Sequence, residues 1–223
     1  MQINVNLSSP IKITDSDGLL VIDMQNDFLP GGSLAVTDGD TIIPGINDLG
    51  TFFSQNNQIV FTQDWHPPGH LSFASAHTGK NPFDEYSGPG LGPVLWPDHC
   101  VQGSKGAEFA PNLDQKLANI ILRKGYHKSL DSYSAFLEND KKTKTGLNEY
   151  LKAFSITNVF ICGLALDYCV KYTALDARIL DFDVYVILDL TKPVYTEESV
   201  LTKVLTDLES NQVRFILLKD LRF

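Results

Sequence analysis

Five side chains in this sequence combine a reactive type with a telling position: Asp23, Asp64, His66, Lys124 and Cys169. Cys169 lies in NVFICGLALDYCVKYTALDA, residues 158–177. The apolar run at 159–162 reads as a strand buried on both faces; Gly163 breaks it, and a helical pattern starts near Asp167. A cysteine in the first helical turn sits beside unpaired backbone N–H groups and the positive end of the helix dipole. That setting favours thiolate, the reactive form. The plain alternative is a buried cysteine acting as a small hydrophobe. Asp64 and His66 are two apart, so in extended chain they point to the same side. A carboxylate and an imidazole so placed suit a divalent metal, and His70 and His99 are the candidates for completing it.

These groups need a scaffold, and the apolar pattern supplies one. Strands are expected at 18–25, 58–64, 120–124, 159–162, 184–190 and 214–218. Helical patterns fall between them. One, capped by Asp40, carries Ile42, Ile46, Leu49 and Phe53; another carries Leu147, Tyr150, Leu151 and Phe154. A third holds Cys169, and a fourth begins at Thr196 with Val200, Val204 and Leu208. Alternation of strand and helix implies right-handed crossovers and one parallel sheet covered on both faces. In such sheets ligands bind outside the carboxyl ends of the strands. Asp23, Asp64, Lys124 and Cys169 all fall at or just beyond strand ends, so the fold gathers them on one edge. Each alone has a dull reading as a cap, a turn former or a solvated strand end. Residues 65–119 fit no regular element, yet hold seven of the eleven prolines and four of the five histidines. A loop this long is usually a lid or binding segment, and its aromatic content argues against disorder. It reads as an active-site wall.

The 223 residues, 43% of them hydrophobic, are expected to form one domain over 1–223, with the loop at about 65–119. A net charge of −9 leaves no electrostatic footprint for nucleic acid or an anionic membrane. No apolar run approaches spanning length, the first residues lack the features of a signal peptide, and three cysteines make no disulfide framework. A cytoplasmic protein is expected, with a homo-oligomer left open.

Five segments together resemble the nicotinamidases of the isochorismatase-like cysteine hydrolases: DMQNDFLPGGSLAV from 23, DWHPPGHLSF from 64, LWPDHCVQGSKGAEF from 95, KGYHKSLDSYSAF from 124 and CGLALDYCV from 162. They occur in the family's order. The resemblance implies a three-layer α/β/α fold with a six-stranded parallel sheet in the Rossmann-like order 3-2-1-4-5-6. It implies a catalytic triad of Asp23, Lys124 and Cys169, and one divalent metal on Asp64, His66 and His99. Zinc is the first choice of metal, with iron or manganese as alternatives. Some members add a histidine at the place of His70. The family pattern makes the backbone N–H groups of Ala165 and Cys169 the oxyanion hole, around a cis peptide before Ala165. Phe28, Trp96 and Tyr133 would flank the substrate ring, each with a plain reading as aromatic core. Leu166 departs from the threonine that nicotinamidases often carry there.

The implied reaction converts nicotinamide to nicotinate and ammonia through a Cys169 thioester, with the metal holding the pyridine nitrogen; pyrazinamide would serve as well. Asp23 would take the thiol proton and return it to the leaving ammonia. Rival readings are another amide hydrolase of the same family, a metallohydrolase using metal-bound water, and a non-enzyme, metal-binding or thiol redox, using Cys100, Cys162 and Cys169. A nucleotide-binding protein is disfavoured, because no G-x-G-x-x-G follows the first strand.

Overall fold

The structure, a computed structural model, describes residues 6–53 and 58–222. Residues 1–5, 54–57 and 223 of the expected unit 1–223 lie outside the described residues.

In chain order the strands are β1 (Ile11–Lys12), β2 (Asp17–Ile22), β3 (Gln58–Asp64), β4 (Ile120–Lys124), β5 (Asn158–Leu164), β6 (Asp183–Lys192), β7 (Arg214–Ile216) and β8 (Leu221–Arg222). The helices are α1 (Ile43–Phe53), α2 (Leu147–Ala153), α3 (Lys171–Ile179) and α4 (Glu198–Ser210). Six strands form one parallel sheet in the order β4-β3-β2-β5-β6-β7. For the six strands expected, this is the order 3-2-1-4-5-6. β1 and β8 form a separate two-stranded parallel pair that the apolar pattern did not signal. Each is only two residues long, too short for a period to register.

The apolar runs sit where both faces of the sheet are covered. Every residue of β2 is buried, and so is every residue of β3 and β5 after the first. β4 lies at the edge and alternates, leaving Ile121 half exposed. α1 buries Ile43, Ile46, Leu49 and Phe53, and Phe53 meets Phe160 of β5 edge-on at 5.7 Å. α4 buries Leu201, Val204, Leu205 and Leu208. Each such side chain contributes roughly 1.5–3 kcal/mol through burial. The result is the three-layer α/β/α arrangement that the resemblance implies.

Two local expectations change. A 3-10 turn at Gly39–Ile42 leads into α1, so Asp40 lies inside that turn rather than at a helix cap. Gly163 does not end its strand: β5 continues to Leu164, with Gly163 at φ 103°, where an added Cβ would lie 2.2 Å from the Ile22 carbonyl oxygen. The glycine permits close approach of two central strands rather than a break.

Residues 65–119 form no long element, and are nonetheless packed. Short bridges tie Gln25 to Phe109, His66 to Val101 and Phe73 to Trp96, while Phe73, Leu95, Trp96 and Cys100 are buried. No helix among the described residues is long and apolar enough to cross a membrane.

Candidate active site

The carboxyl ends of β2, β3 and β4 lie side by side, and their last or next side chains meet at Lys124. Its Nζ stands 2.8 Å from Asp23 Oδ2 and 2.7 Å from Asp64 Oδ1, and it donates to the Ser132 carbonyl at 2.8 Å. The three ammonium hydrogens thus have three oxygen acceptors, which a fully buried cation requires. Cys169 Sγ lies 3.5 Å from the same nitrogen. Asp23 departs from its strand with φ 46°, and the Thr62 hydroxyl orients it, accepting from the Asp23 N–H at 3.0 Å and donating to Oδ1 at 2.7 Å.

Burial works against the Lys124 charge, but Asp23 and Asp64 overcome it and hold the lysine well above its usual range. Burial likewise opposes ionised Asp64, yet Lys124 and His66 hold its carboxyl well below the usual range. For Asp23 burial wins and raises the carboxyl, Lys124 pulling down and Asp64 pushing up.

Cys169 does not begin an ordinary α-helix. It lies in a π-helical turn, Leu166–Val170, that precedes α3. Its thiol is pushed well above the usual range by burial, with Lys124 opposing and the Asp23 and Asp64 carboxylates adding to the rise. The expectation that the helix end and Lys124 would store a thiolate therefore changes. With the thiol held above its usual range, a base must take its proton. Leu164–Ala165 is a cis peptide, as the resemblance implied.

On the other side of Asp64 stand two imidazoles. His66 Nε2 is 3.4 Å and His99 Nε2 3.8 Å from Asp64 Oδ2. One ligand atom from each of the three residues falls within 4.8 Å of the others. His66 Nδ1 lies 2.9 Å from the Gly125 carbonyl and His99 Nδ1 2.8 Å from the Pro97 carbonyl. Donation to those carbonyls fixes both tautomers and leaves each Nε2 with a lone pair on the Asp64 side. The buried Nε2 of His66 has no hydrogen-bond partner. This N₂O donor set fits a divalent cation such as zinc. Gly125 has φ 67°, and a Cβ there would press to 2.6 Å from the His66 ring, so glycine lets its carbonyl reach the imidazole.

His70 is differently engaged. Its Nδ1 accepts from the Ser72 N–H at 3.1 Å, and its Nε2 lies 2.8 and 3.0 Å from the carbonyls of His127 and Leu130. Both ring nitrogens are thus spent within the protein.

Cys169, Ala165, Asp64 and His99 open into one pocket. Phe28, Trp96 and Tyr133 all line it. Trp96 Nε1 donates to the Tyr133 hydroxyl at 3.0 Å, which donates to the Gly92 carbonyl at 3.0 Å, so these rings are fixed by polar as well as apolar contacts.

The Isochorismatase domain family matches residues 17–204. The chain belongs to the isochorismatase family. Among curated proteins it is 52% identical to a nicotinamidase of Acinetobacter baylyi over 184 residues, 82% of this chain and 85% of that one. Among solved structures it is similar to a nicotinamidase/pyrazinamidase of Acinetobacter baumanii, with TM-score 0.88, 45% identity, and 93% and 98% of the two chains covered. The yeast nicotinamidase bound to the inhibitor nicotinaldehyde gives TM-score 0.82 at 36% identity, over 90% and 99% of the chains. A pyrazinamidase of Pyrococcus horikoshii in complex with zinc gives 0.74 at 34% identity, over 91% and 99%.

Within this isochorismatase-family frame, the structure brings together every site residue singled out from the sequence, His70 included. The His70 ring lies 4.4 Å from that of His66 and its ligand atom falls within 4.8 Å of those of His66 and Asp131, although hydrogen bonds within the protein engage both its nitrogens. The structure also adds residues that the sequence reading missed. Leu34, Tyr168 and Val194 line the pocket, Tyr168 edge-on to Trp96 at 4.7 Å. Asp131 lines it too, buried, with an oxygen that has no hydrogen-bond partner. Asp167 holds the Val194 wall, accepting from the N–H groups of Val194 and Tyr195, each at 2.9 Å. Only Tyr168, beside Cys169, had a signal in its own position; Leu34 and Val194 arrive from distant loops.

Proposed function

We propose that this protein is an amidohydrolase that converts nicotinamide to nicotinate and ammonia, with Cys169 as nucleophile, Asp23 as base and Lys124 as the charge between them. One observation carries the reading: Lys124 touches Asp23, Asp64 and Cys169 at once, and Asp64 and Cys169 line an aromatic pocket. The similarity to nicotinamidases over most of the chain supports the substrate, because carboxamide and pyridine ring match nucleophile and aromatic walls.

In this mechanism Asp23 accepts the Cys169 proton. Its raised pKa suits that task, since a base too weakly basic would not accept from a thiol. Sulfur forms a bond to the carboxamide carbon, and the carbonyl pair moves to oxygen. The N–H groups of Ala165 and Cys169 receive that oxyanion, one such donor being typically worth ~3 kcal/mol of barrier. Asp23 passes its proton to the departing ammonia, leaving a thioester. Asp23 then takes a proton from water as the water oxygen attacks, and nicotinate and the thiol are released. Lys124 stays charged throughout and keeps Asp23 aimed at the sulfur.

Asp64, His66 and His99 are the residues that would hold a divalent cation, zinc being the reading the donor set favours. When bound, the cation supplies a Lewis-acid contact for the pyridine nitrogen. Phe28, Trp96 and Tyr133 flank the ring. Pyrazinamide, which keeps both the ring nitrogen and the carboxamide, is a second substrate. The three cysteines are all unpaired, which suits a cytoplasmic, reducing setting, and the chain acts as one domain.

The test is ammonia release from nicotinamide by the purified protein. Stoichiometric nicotinate and ammonia are expected; no turnover in the zinc-loaded protein overturns the reading.

A further inference from the structure

β3 runs further than its neighbour. The last register pair between β2 and β3 is Val21 with Phe61, while β3 continues to Asp64, which pairs on its other side with Lys124 of β4. β2 cannot follow, because the chain turns away at Asp23 with a left-handed φ of 46°. The peptide groups of Asp64 on the β2 side thus need a partner in a place closed to water.

Gln25 supplies it. Its Oε1 accepts from the Asp64 N–H at 2.7 Å, and its Nε2 donates to the Asp64 carbonyl at 2.8 Å. The second Nε2 hydrogen goes to the Ala107 carbonyl at 2.9 Å. A carboxamide is the side-chain group that copies a peptide, donor and acceptor side by side, so it can replace two rungs of a ladder. Gln25 is completely buried. Asp64 is also where the two parts of the site join, one oxygen on Lys124 and the other facing His66 and His99.

We propose that Gln25 is a positioning residue that sets Asp64 for cation binding by standing in for the strand rungs that β2 cannot provide. This rests on the reading that Asp64, His66 and His99 hold a cation. Gln25 touches no substrate. It fixes the backbone from which a ligand carboxylate springs, and it ties that ligand to the segment two residues beyond Asp23.

A neighbour provides the control. Gln63, buried next to Asp64 in the sequence, donates to the same Ala107 carbonyl at 2.9 Å and accepts from Arg123 Nε at 3.1 Å. A general loosening of this layer would follow from either glutamine, whereas loss of the Asp64 grip follows only from Gln25.

The experiment measures zinc affinity of the metal-stripped full chain by chelator competition, for wild type, Gln25→Met, Gln63→Met and Asp64→Ala. Loss of an outer partner of a metal ligand typically costs 10–100-fold in affinity. That loss is expected in Gln25→Met, with Gln63→Met near wild type and Asp64→Ala weaker than both. If Gln25→Met shows no cooperative thermal transition, Gln25→Asn replaces it with the same expectation, its amide being too short to span both groups. Wild-type affinity in the Gln25 variant beside weakened Asp64→Ala overturns the role of Gln25 alone. Equal weakening by both glutamine variants also overturns it, by showing a packing effect. Wild-type affinity in Asp64→Ala overturns the cation reading itself, and this inference with it.

Discussion

Asp64 divides the site into two flanks of opposite character. On one flank Asp23, Lys124 and Cys169 satisfy one another: every ammonium hydrogen has an oxygen acceptor, and both carboxylates have a cation. On the other, two imidazoles face a carboxylate, and the buried His66 Nε2 has no partner. The first flank is electrically held by the chain's own residues, while the second is shaped around something the chain does not supply. One positive and two negative charges at the Lys124 cluster also leave a net negative site, which a divalent cation beside Asp64 would offset. On the proposed function, chemistry falls on one flank and substrate holding on the other, with one carboxylate shared between them.

The sharpest way to break the comparison is at the sulfur. Cys169→Ala is expected to lose at least ~10⁴-fold in kcat with the fold intact, as removal of a nucleophile does. Cys162→Ala, on the central strand with no charged partner, should keep kcat and lose on the order of 1 kcal/mol of stability. Ammonia release and thermal unfolding of both variants check this, and comparable activity in Cys169→Ala would return the chemistry to the metal flank.

Next is the base. Asp23→Asn keeps the shape and removes the acceptor, so kcat should fall ~10²–10⁴-fold. A wild-type kcat would make Asp23 merely the counter-charge of Lys124.

A smaller effect is expected from the metal flank. Chelation, or His66→Ala, should cost ~10² in rate through poor substrate placement, while Cys169 still reacts with an alkylating agent. Mass spectrometry of the labelled protein with and without zinc reads this directly. Separable flanks predict label on Cys169 in both states; label on Cys100 or Cys162 instead would sink the nucleophile assignment.

The smallest effect concerns the backing of the first flank. Glu138 is buried behind Ser132, whose carbonyl holds Lys124, and burial raises its carboxyl to about 7 from the usual 4.5, against Lys124 and the Ser132 hydroxyl. The folded protein therefore holds this proton more tightly than the unfolded chain does. The contribution is fully present below 4.5 and is lost as pH rises through about 7. Glu138→Gln should gain on wild type across that window, by on the order of 2 kcal/mol above it. Parallel thermal unfolding curves at each pH check the difference; a constant gap would place the charge elsewhere.

Much of the first flank was legible in the sequence, and the reason is geometric. A strand's last residue is fixed by its apolar run, and a parallel sheet puts all such ends on one edge, so Asp23, Asp64 and Lys124 could be gathered before any coordinate was known. The second flank was less so. His99 is 35 residues beyond Asp64 in a stretch without period, and only the family motif marked it. The thiolate expectation changed for a third reason: the helix end is local, but burial and the two carboxylates that raise the thiol, like the lysine that opposes them, belong to the assembled pocket.

By itself, then, the sequence determined what depends on near neighbours and repeat: the strands and helices, the parallel direction of the sheet, the edge on which reactive groups collect, and the motifs that mark the family. Only the tertiary structure decided that Gln25 takes the place of a missing strand rung, that His70 spends both nitrogens on backbone and serine, and that Leu34 and Val194 close the pocket. Apart from the His70–Ser72 contact, those outcomes rest on hydrogen bonds and contacts between residues tens of positions apart. Their partners are chosen by the distance left when the chain is packed, and no spacing in the sequence encodes it.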